Sequence, residues 1–307
     1  MFHVKQSEKT STTGYGADTP LAREIADLTA RRKALEGVSV DFSGPTRIFT
    51  ISNQKGGVGK TTTAVNIASA MAHLGGRVLV VDLDPQGNAS TALGVTHTAD
   101  VASIYDVLIN ETPLADVVQA SPESPTLLCA PSTIHLAGAE IELVSQVARE
   151  HRLRTALQTY LAAHEIDVVI IDCPPSLGLL TINAFTAATE VMIPIQCEYY
   201  ALEGLSQLLG SIRMIQKHLN PALRLTTILL TMFDGRTRLA QQVADEVRGH
   251  FPDEVLNTVI PRSVRVSEAP SFGQTVIAYD GQSVGAIAYQ EAAVEIAGRA
   301  ARTGKEN

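Results

Sequence analysis

The sequence predicts an α/β fold, a doubly wound, mostly parallel sheet with helices on both faces. Three observations carry this expectation. Continuous apolar runs recur at Val78-Leu79-Val80-Val81, Val168-Val169-Ile170-Ile171, Val191-Met192-Ile193 and Thr226-Thr227-Ile228-Leu229-Leu230. Runs without polar alternation suit strands covered on both sides. Stretches of helical period lie between them, and a glycine-rich turn joins the first strand-like segment to the first such stretch.

In chain order, residues 1–45 read as a flexible extension with a short helix. Up to about residue 18 the chain is rich in Ser, Thr and Gly without periodicity, which predicts disorder. Thr19 and Pro20 then offer a helix cap and a first helical residue. Leu21, Ile25 and Leu28 follow at i, i+4 and i+7. Such a stripe either packs on the main domain or forms an arm for a partner, and the extension is too short for a helix-turn-helix domain. Arg47-Ile48-Phe49-Thr50-Ile51 opens a main domain spanning 46–300. Ile67, Met71 and Leu74 make one helical face, stopped by Gly75-Gly76. Leu239, Val243 and Val247 make another, stopped near Gly249 and Pro252. A polar tail, 301–307, ends the sequence.

With 307 residues, 45% of them hydrophobic, the chain can bury a large core. Its net charge of -8 argues against a generally basic coat, so any nucleic-acid contact must come from a local patch. The three cysteines have no C-x-x-C spacing, which fits a reduced compartment. No apolar run approaches the ~18 residues that span a bilayer, and the N-terminus lacks the apolar core of a signal peptide. The reading is a soluble, cytoplasmic protein.

The chemistry concentrates in Gln54-Lys55-Gly56-Gly57-Val58-Gly59-Lys60-Thr61-Thr62. Gly-Lys-Thr opening a helix after a strand is the end of a phosphate loop. Glycines let backbone N–H groups approach phosphate oxygens, and the helix N-terminus adds partial positive charge. Lys60 is expected on the β- and γ-phosphates and the Thr61 hydroxyl on Mg²⁺. The pattern departs from the ordinary one: Gln54 stands where a glycine is usual, and Lys55 is a second lysine. Two further strands end in aspartates, "VLVVDLD" in Asp82 and Asp84 and "VVIIDCPP" in Asp172. An aspartate after four apolar residues is the Walker-B pattern that holds Mg²⁺ directly or through water. Ligands of open α/β sheets sit at these strand ends.

"KGGVGKTT", "DLDPQGN" and "DCPPSLG", continued by "TMFDGRTRLAQQV" and "IPRSVRVSEAPSFGQTV", together resemble the ParA/Soj partition ATPases, a deviant Walker-A branch of the P-loop NTPases. The likeness runs from Arg47 to about Ala297. It implies a homodimer that forms with ATP and Mg²⁺, binds double-stranded DNA non-specifically over the nucleoid, and hydrolyses ATP when stimulated by a centromere-bound ParB partner. It implies that Lys55 reaches across the dimer to the other subunit's phosphates. Asp84 would position the attacking water, and Asp82 and Asp172 would belong to the Mg²⁺ shell. Met232 and Pro261-Arg262-Ser263 would lie along the adenine, with Ser263 where family members often carry Asn. Arg236 and Arg265 align with family arginines that contact DNA.

The segment from Arg213 to Arg265 holds eight Lys or Arg against five Asp or Glu, a local excess in an acidic chain. Arg238, Arg213, Lys217 and Arg224 are looser candidates for the same patch. Contacts of this kind would go to phosphates, with strong salt dependence and little sequence preference. Two rival readings share the scaffold. A MinD-like ATPase positioning division machinery would need a basic amphipathic C-terminal anchor, whereas "YQEAAVEIAGRAARTGKEN" is small and Ala-rich, so no stable membrane association is expected. An iron–sulfur or redox carrier would need thiolate ligands. Cys173 is instead expected to be a buried small residue. A metabolic ATP-dependent ligase lacks a recognisable second-substrate motif.

Overall fold

The computed structural model describes residues 19–199 and 201–303, so the disorder expected of residues 1–18 and the end of the 301–307 tail lie outside the described residues. Chain order gives α1 (Pro20–Leu35), β1 (Arg47–Ile51), α2 (Lys60–His73), β2 (Val78–Asp82), α3 (Asn88–Ala92), α4 (Ile104–Ile109), β3 (Gln119–Ser121), β4 (Ser124–Ala130), α5 (Leu136–Leu143) and α6 (Arg152–Ala163). Then come β5 (Val168–Asp172), α7 (Leu179–Ala187), β6 (Glu190–Gln196), α8 (Ala201–His218), β7 (Arg224–Phe233), α9 (Arg238–His250), β8 (Val255–Pro261), α10 (Val264–Glu268), α11 (Val276–Asp280) and α12 (Val284–Thr303).

The chain divides after Glu36 into two units. In the first, the Thr19 hydroxyl accepts the Ala22 N–H at 3.2 Å, and Pro20 opens α1, the arrangement the residue types predict. The second unit starts at Gly37, upstream of residue 46, and Phe42, partly buried, packs against its core. The Phe42 ring lies against Gly76, so close that a Cβ there would come within 2.9 Å of it.

Eight strands form one sheet in the order β3-β4-β2-β5-β1-β6-β7-β8. Every pairing is parallel except the β3–β4 hairpin at one edge. The unbroken apolar runs have a simple cause. In β2, Val78 and Val80 face one apolar layer while Leu79 and Val81 face the other, and β5 divides its residues in the same way. One layer is roofed by α2 and α12, through Ile67, Met71, Tyr289 and Ile296 among others. α7, α8 and α9 help cover the opposite face.

Two helical expectations change. In α9 the buried face is Ala240, Val243, Ala244 and Val247, and Leu239 lies outside it, 45% exposed. The Ala-rich C-terminal stretch is a core helix: Ala286, Ala288, Tyr289, Ala292, Ala293 and Ile296 are all buried. Small residues let α12 approach α2 and β8 closely, and the helix continues to Thr303, into the segment read as a tail.

Candidate active site

β1 lies inside the sheet between β5 and β6, so the loop leaving Ile51 emerges among the carboxyl ends of its neighbours. Register places Asp172 beside both Ile51 and Asp82. The glycine loop and the buried aspartates are thus brought together by strand pairing alone.

The loop is fastened by three hydrogen bonds, to β6, to β7 and within itself. The Asn53 side-chain amide donates to Pro194 O at 2.9 Å, and its carbonyl accepts the Lys55 N–H at 3.0 Å. The Thr231 hydroxyl donates to Val58 O at 2.8 Å. Gly59 takes φ +87° as it enters α2, a left-handed conformation that costs a side-chain-bearing residue roughly 1–2 kcal/mol. It brings no capping side chain, so the first-turn N–H groups keep their positive ends for an anion. Lys55, Gly56 and Gly57 form an exposed rim, whereas Val58 and Lys60 are buried.

The two lysines therefore occupy different environments. Lys60 is 7% exposed and its ammonium lies 3.4 Å from Lys55 O. Burial pushes its pKa down, and the charges of Asp172 and Asp84 oppose that shift. Lys55 points along the surface to Glu198, with Nζ 2.5 Å from Oε2 and side chains 42% and 46% exposed.

The three aspartates also differ. Asp82 is buried but engaged: Ser90 N and Oγ donate to its Oδ2 at 2.8 and 2.7 Å, and Asp84 N to its Oδ1 at 3.2 Å. Burial nonetheless raises its pKa to about 6. Asp172 is fully buried, and neither carboxylate oxygen has a hydrogen-bond partner within 3.5 Å. Burial, with the negative charge of Asp82, holds its pKa well above the carboxylate range, though the nearby Thr61 hydroxyl and Lys60 favour its charged form. Asp84 accepts the Gln86 N–H on Oδ1 at 3.0 Å, and among the described residues no hydrogen bond engages its Oδ2.

An orphaned buried carboxylate costs folding free energy unless something charged meets it. Asp172 beside Thr61 fits a small divalent cation. No group of three His, Cys, Asp or Glu side chains placed to hold a metal occurs among the described residues. Mg²⁺ takes one or two protein oxygens and completes its shell with phosphate and water. Asp82, with both oxygens in use, is better placed to orient the Asp84 turn.

Met232 and Pro261 end β7 and β8 on the same side of the sheet, where Phe233 pairs with Pro261. Met232 takes φ +49°, and its terminal methyl would lie 3.8 Å from a Cβ at Gly59, so it leans over the loop. Arg262 is exposed and Ser263 precedes α10 beside Gly285. Arg236 and Arg265 leave from these same adjacent strand ends. Arg236 is 90% exposed and bidentate to Asp234, at 2.8 and 2.9 Å. It lowers the Asp234 pKa to about 2. Arg265 pairs with Glu268 at 3.3 Å and Asp280 at 3.4 Å. Arg238 opens α9 next to Arg236, but Arg224 begins β7 and Lys217 lies in the last turn of α8, toward the opposite ends of the strands. Arg224 there bonds the carbonyls of Pro221 and Leu223.

Sequence reasoning missed Asn53, Ser90, Thr231 and Glu198. Asn53 had a local signal, an Asx turn ahead of a glycine loop. Glu198 had none, being 143 residues from Lys55. All three cysteines are buried and free, and Cys173, hydrogen-bonded with Thr50 at 3.2 Å, has its pKa raised to about 12 by burial.

The AAA domain family model matches residues 46–225. The sporulation initiation inhibitor protein Soj of Bacillus subtilis is 53% identical over 251 residues, covering 82% of this chain and 98% of that protein. The chain belongs to the Soj/ParA family. The chromosome partitioning protein ParA of Caulobacter vibrioides is 49% identical over 257 residues, 84% of this chain and 96% of its own length. Among solved structures, a cobyrinic acid a,c-diamide synthase from Mycobacterium smegmatis with bound ADP and magnesium is 38% identical. It superposes with a TM-score of 0.72 over 84% of this chain and 96% of that one.

Proposed function

We propose that this chromosome-partition ATPase works as an ATP-dependent dimer that binds DNA without sequence preference over the nucleoid. A centromere-bound ParB-type partner then stimulates hydrolysis and so releases it. The chain hydrolyses ATP with Mg²⁺. The observation that carries the finer reading is the division between its two lysines. Lys60 is buried among carboxylates and can serve only the phosphates of its own loop. Lys55 stands half exposed on the rim of that loop, paired with Glu198 and open to a neighbour on its solvent side.

Phosphoryl transfer needs positioning and charge neutralisation more than covalent chemistry. Backbone N–H groups from Gly56 through Thr62 cradle the phosphates, and Lys60 neutralises the developing charge. Mg²⁺, when bound, offsets phosphate charge, and Thr61 and Asp172 are the residues to hold it, with Asp82 bracing the turn between them and Asp84. The open Oδ2 of Asp84 accepts a hydrogen bond from the attacking water and orients it. Met232, Pro261, Arg262 and Ser263 line the base. Ser263 has a hydroxyl and no amide, so it cannot make the paired contact with adenine that an Asn at this position could.

Arg236 and Arg265 supply the DNA contact from adjacent strand ends. Their carboxylate partners orient them without consuming them, since exposed pairs are worth only about 0–1 kcal/mol and DNA phosphates compete readily for a guanidinium. Two rivals lose support. α12 buries the apolar face of its described residues in the core, so that face is not offered to a membrane as the MinD-like reading would need. Cys173 is fully buried and hydrogen-bonded with Thr50, the setting of a small core residue. The partition relatives match the same share of the chain as the structurally similar synthase, and at higher identity.

The test is a titration of unrelated duplex DNAs with ATP, ADP or no nucleotide at two salt concentrations. Binding is expected only with ATP, equal across sequences and weaker at high salt. Equal binding in all nucleotide states, or none with ATP, overturns the reading.

A further inference from the structure

We propose that Glu198 is a positioning residue for Lys55, holding its ammonium on its own chain until a second copy presents its phosphates. The inference rests on the reading of Lys55 as the lysine that crosses the dimer. The contact joins two segments that leave the adjacent strands β1 and β6. Both ends are anchored through backbone. The Lys55 N–H is held by Asn53 Oδ1, and Lys55 O lies against the Lys60 ammonium. The Glu198 N–H donates to Gln196 O at 2.8 Å, and Glu198 O accepts the N–H of Ala201, the first residue of α8, at 3.0 Å. Only the two side chains need to move to make or break the pair.

Charge decides the direction of exchange. A triphosphate carries more negative charge than one carboxylate, so a docking copy outcompetes Glu198 for the ammonium. The carboxylate left behind is 46% exposed, and water takes up much of its charge. Glu198 is therefore a weak brake. It keeps the rim lysine ordered and neutralised in the single chain, and it yields when nucleotide and partner arrive together. The same contact ties the phosphate loop to the start of α8.

The experiment measures the monomer–dimer midpoint of the full chain by analytical ultracentrifugation with a slowly hydrolysed ATP analogue and Mg²⁺. An exposed pair of up to ~1 kcal/mol corresponds to about fivefold per site, and a symmetric dimer breaks two. Glu198→Gln should lower the midpoint by about five- to 25-fold. The gain should shrink at high salt as the pair is screened. Glu198→Asp keeps the charge and should stay near the parent. A Glu198→Gln midpoint equal to or above the parent's overturns the proposal, as does an equal shift in Glu198→Asp. Lys55→Ala separates the two levels. If it dimerises like the parent, the crossing lysine itself falls. If it loses the dimer while Glu198→Gln changes nothing, only the role of Glu198 falls.

Discussion

The carboxyl ends of β1, β2 and β5 and those of β7 and β8 lie on one side of one sheet, yet they are built oppositely. The first set is buried and electrostatically strained, with Asp82 and Asp172 fully out of water and Asp172 without a partner. The second is exposed and relaxed, with Arg236 and Arg265 each already paired to local carboxylates. The lesson is about what each chemistry needs. Phosphoryl transfer needs groups fixed in a dry site before the substrate arrives. Contact with a polyanion needs cations that can be exchanged from one anion to another in water.

The contrast predicts graded effects. Asp84→Ala acts in the fixed half, and turnover should fall by about 10²–10⁴-fold, the usual scale for losing a group that orients a proton transfer. ATP binding and the ATP dimer should persist, so the variant accumulates as a trapped dimer in gel filtration. Normal turnover there would remove Asp84 from the water-positioning role.

Asp82→Asn tests the strain. With the folded pKa of Asp82 raised to about 6, its carboxyl is protonated in both states below about pH 4, where the site costs nothing. As pH rises through 6, the unfolded carboxyl ionises first, and stability is lost until the folded one follows. Asp172, shifted the same way, adds to this loss. The variant, measured by thermal melts without nucleotide, should gain on the parent between pH 4 and 6. The gain should level off at about 2–3 kcal/mol, two pK units at 1.36 kcal/mol each. A pH-independent difference would mean Asp82 is not strained.

The exposed half should give the smallest effects on the protein and clean effects on DNA. Arg265→Glu is expected to weaken ATP-dependent DNA binding by tenfold or more, through charge reversal in both copies of a dimer, while dimerisation and melting temperature hold. Arg236→Ala should cost a few-fold and lower the salt slope by about one ion per site. Loss of the dimer in Arg265→Glu would instead make its pairs with Glu268 and Asp280 structural.

What was legible in the sequence follows the same divide. Phosphate loop and strand-end aspartates are local patterns, a few residues that must stand next to a buried strand, and so the fold and the nucleotide site could be read together. The phase of α9 was misread at Leu239 because the true face uses Ala240 and Ala244, whose small side chains give little hydrophobic contrast. β8 escaped because polar Asn257 and Thr258 interrupt it at the sheet edge, where Glu295 accepts both of their N–H groups. Glu198 was invisible because nothing local to it names its partner.

The packing of α12 on α2 also orders the life of the molecule in time. The phosphate loop is synthesised within the first fifth of the chain, but the helix it opens is roofed by residues beyond Val284. On the ribosome, the loop is long exposed before its roof exists. A chain that has emerged only as far as α2 has the complete phosphate-binding motif without the Tyr289 and Ile296 side of its core. The framework behind the loop is thus complete only once residues beyond Val284 have emerged and packed on α2.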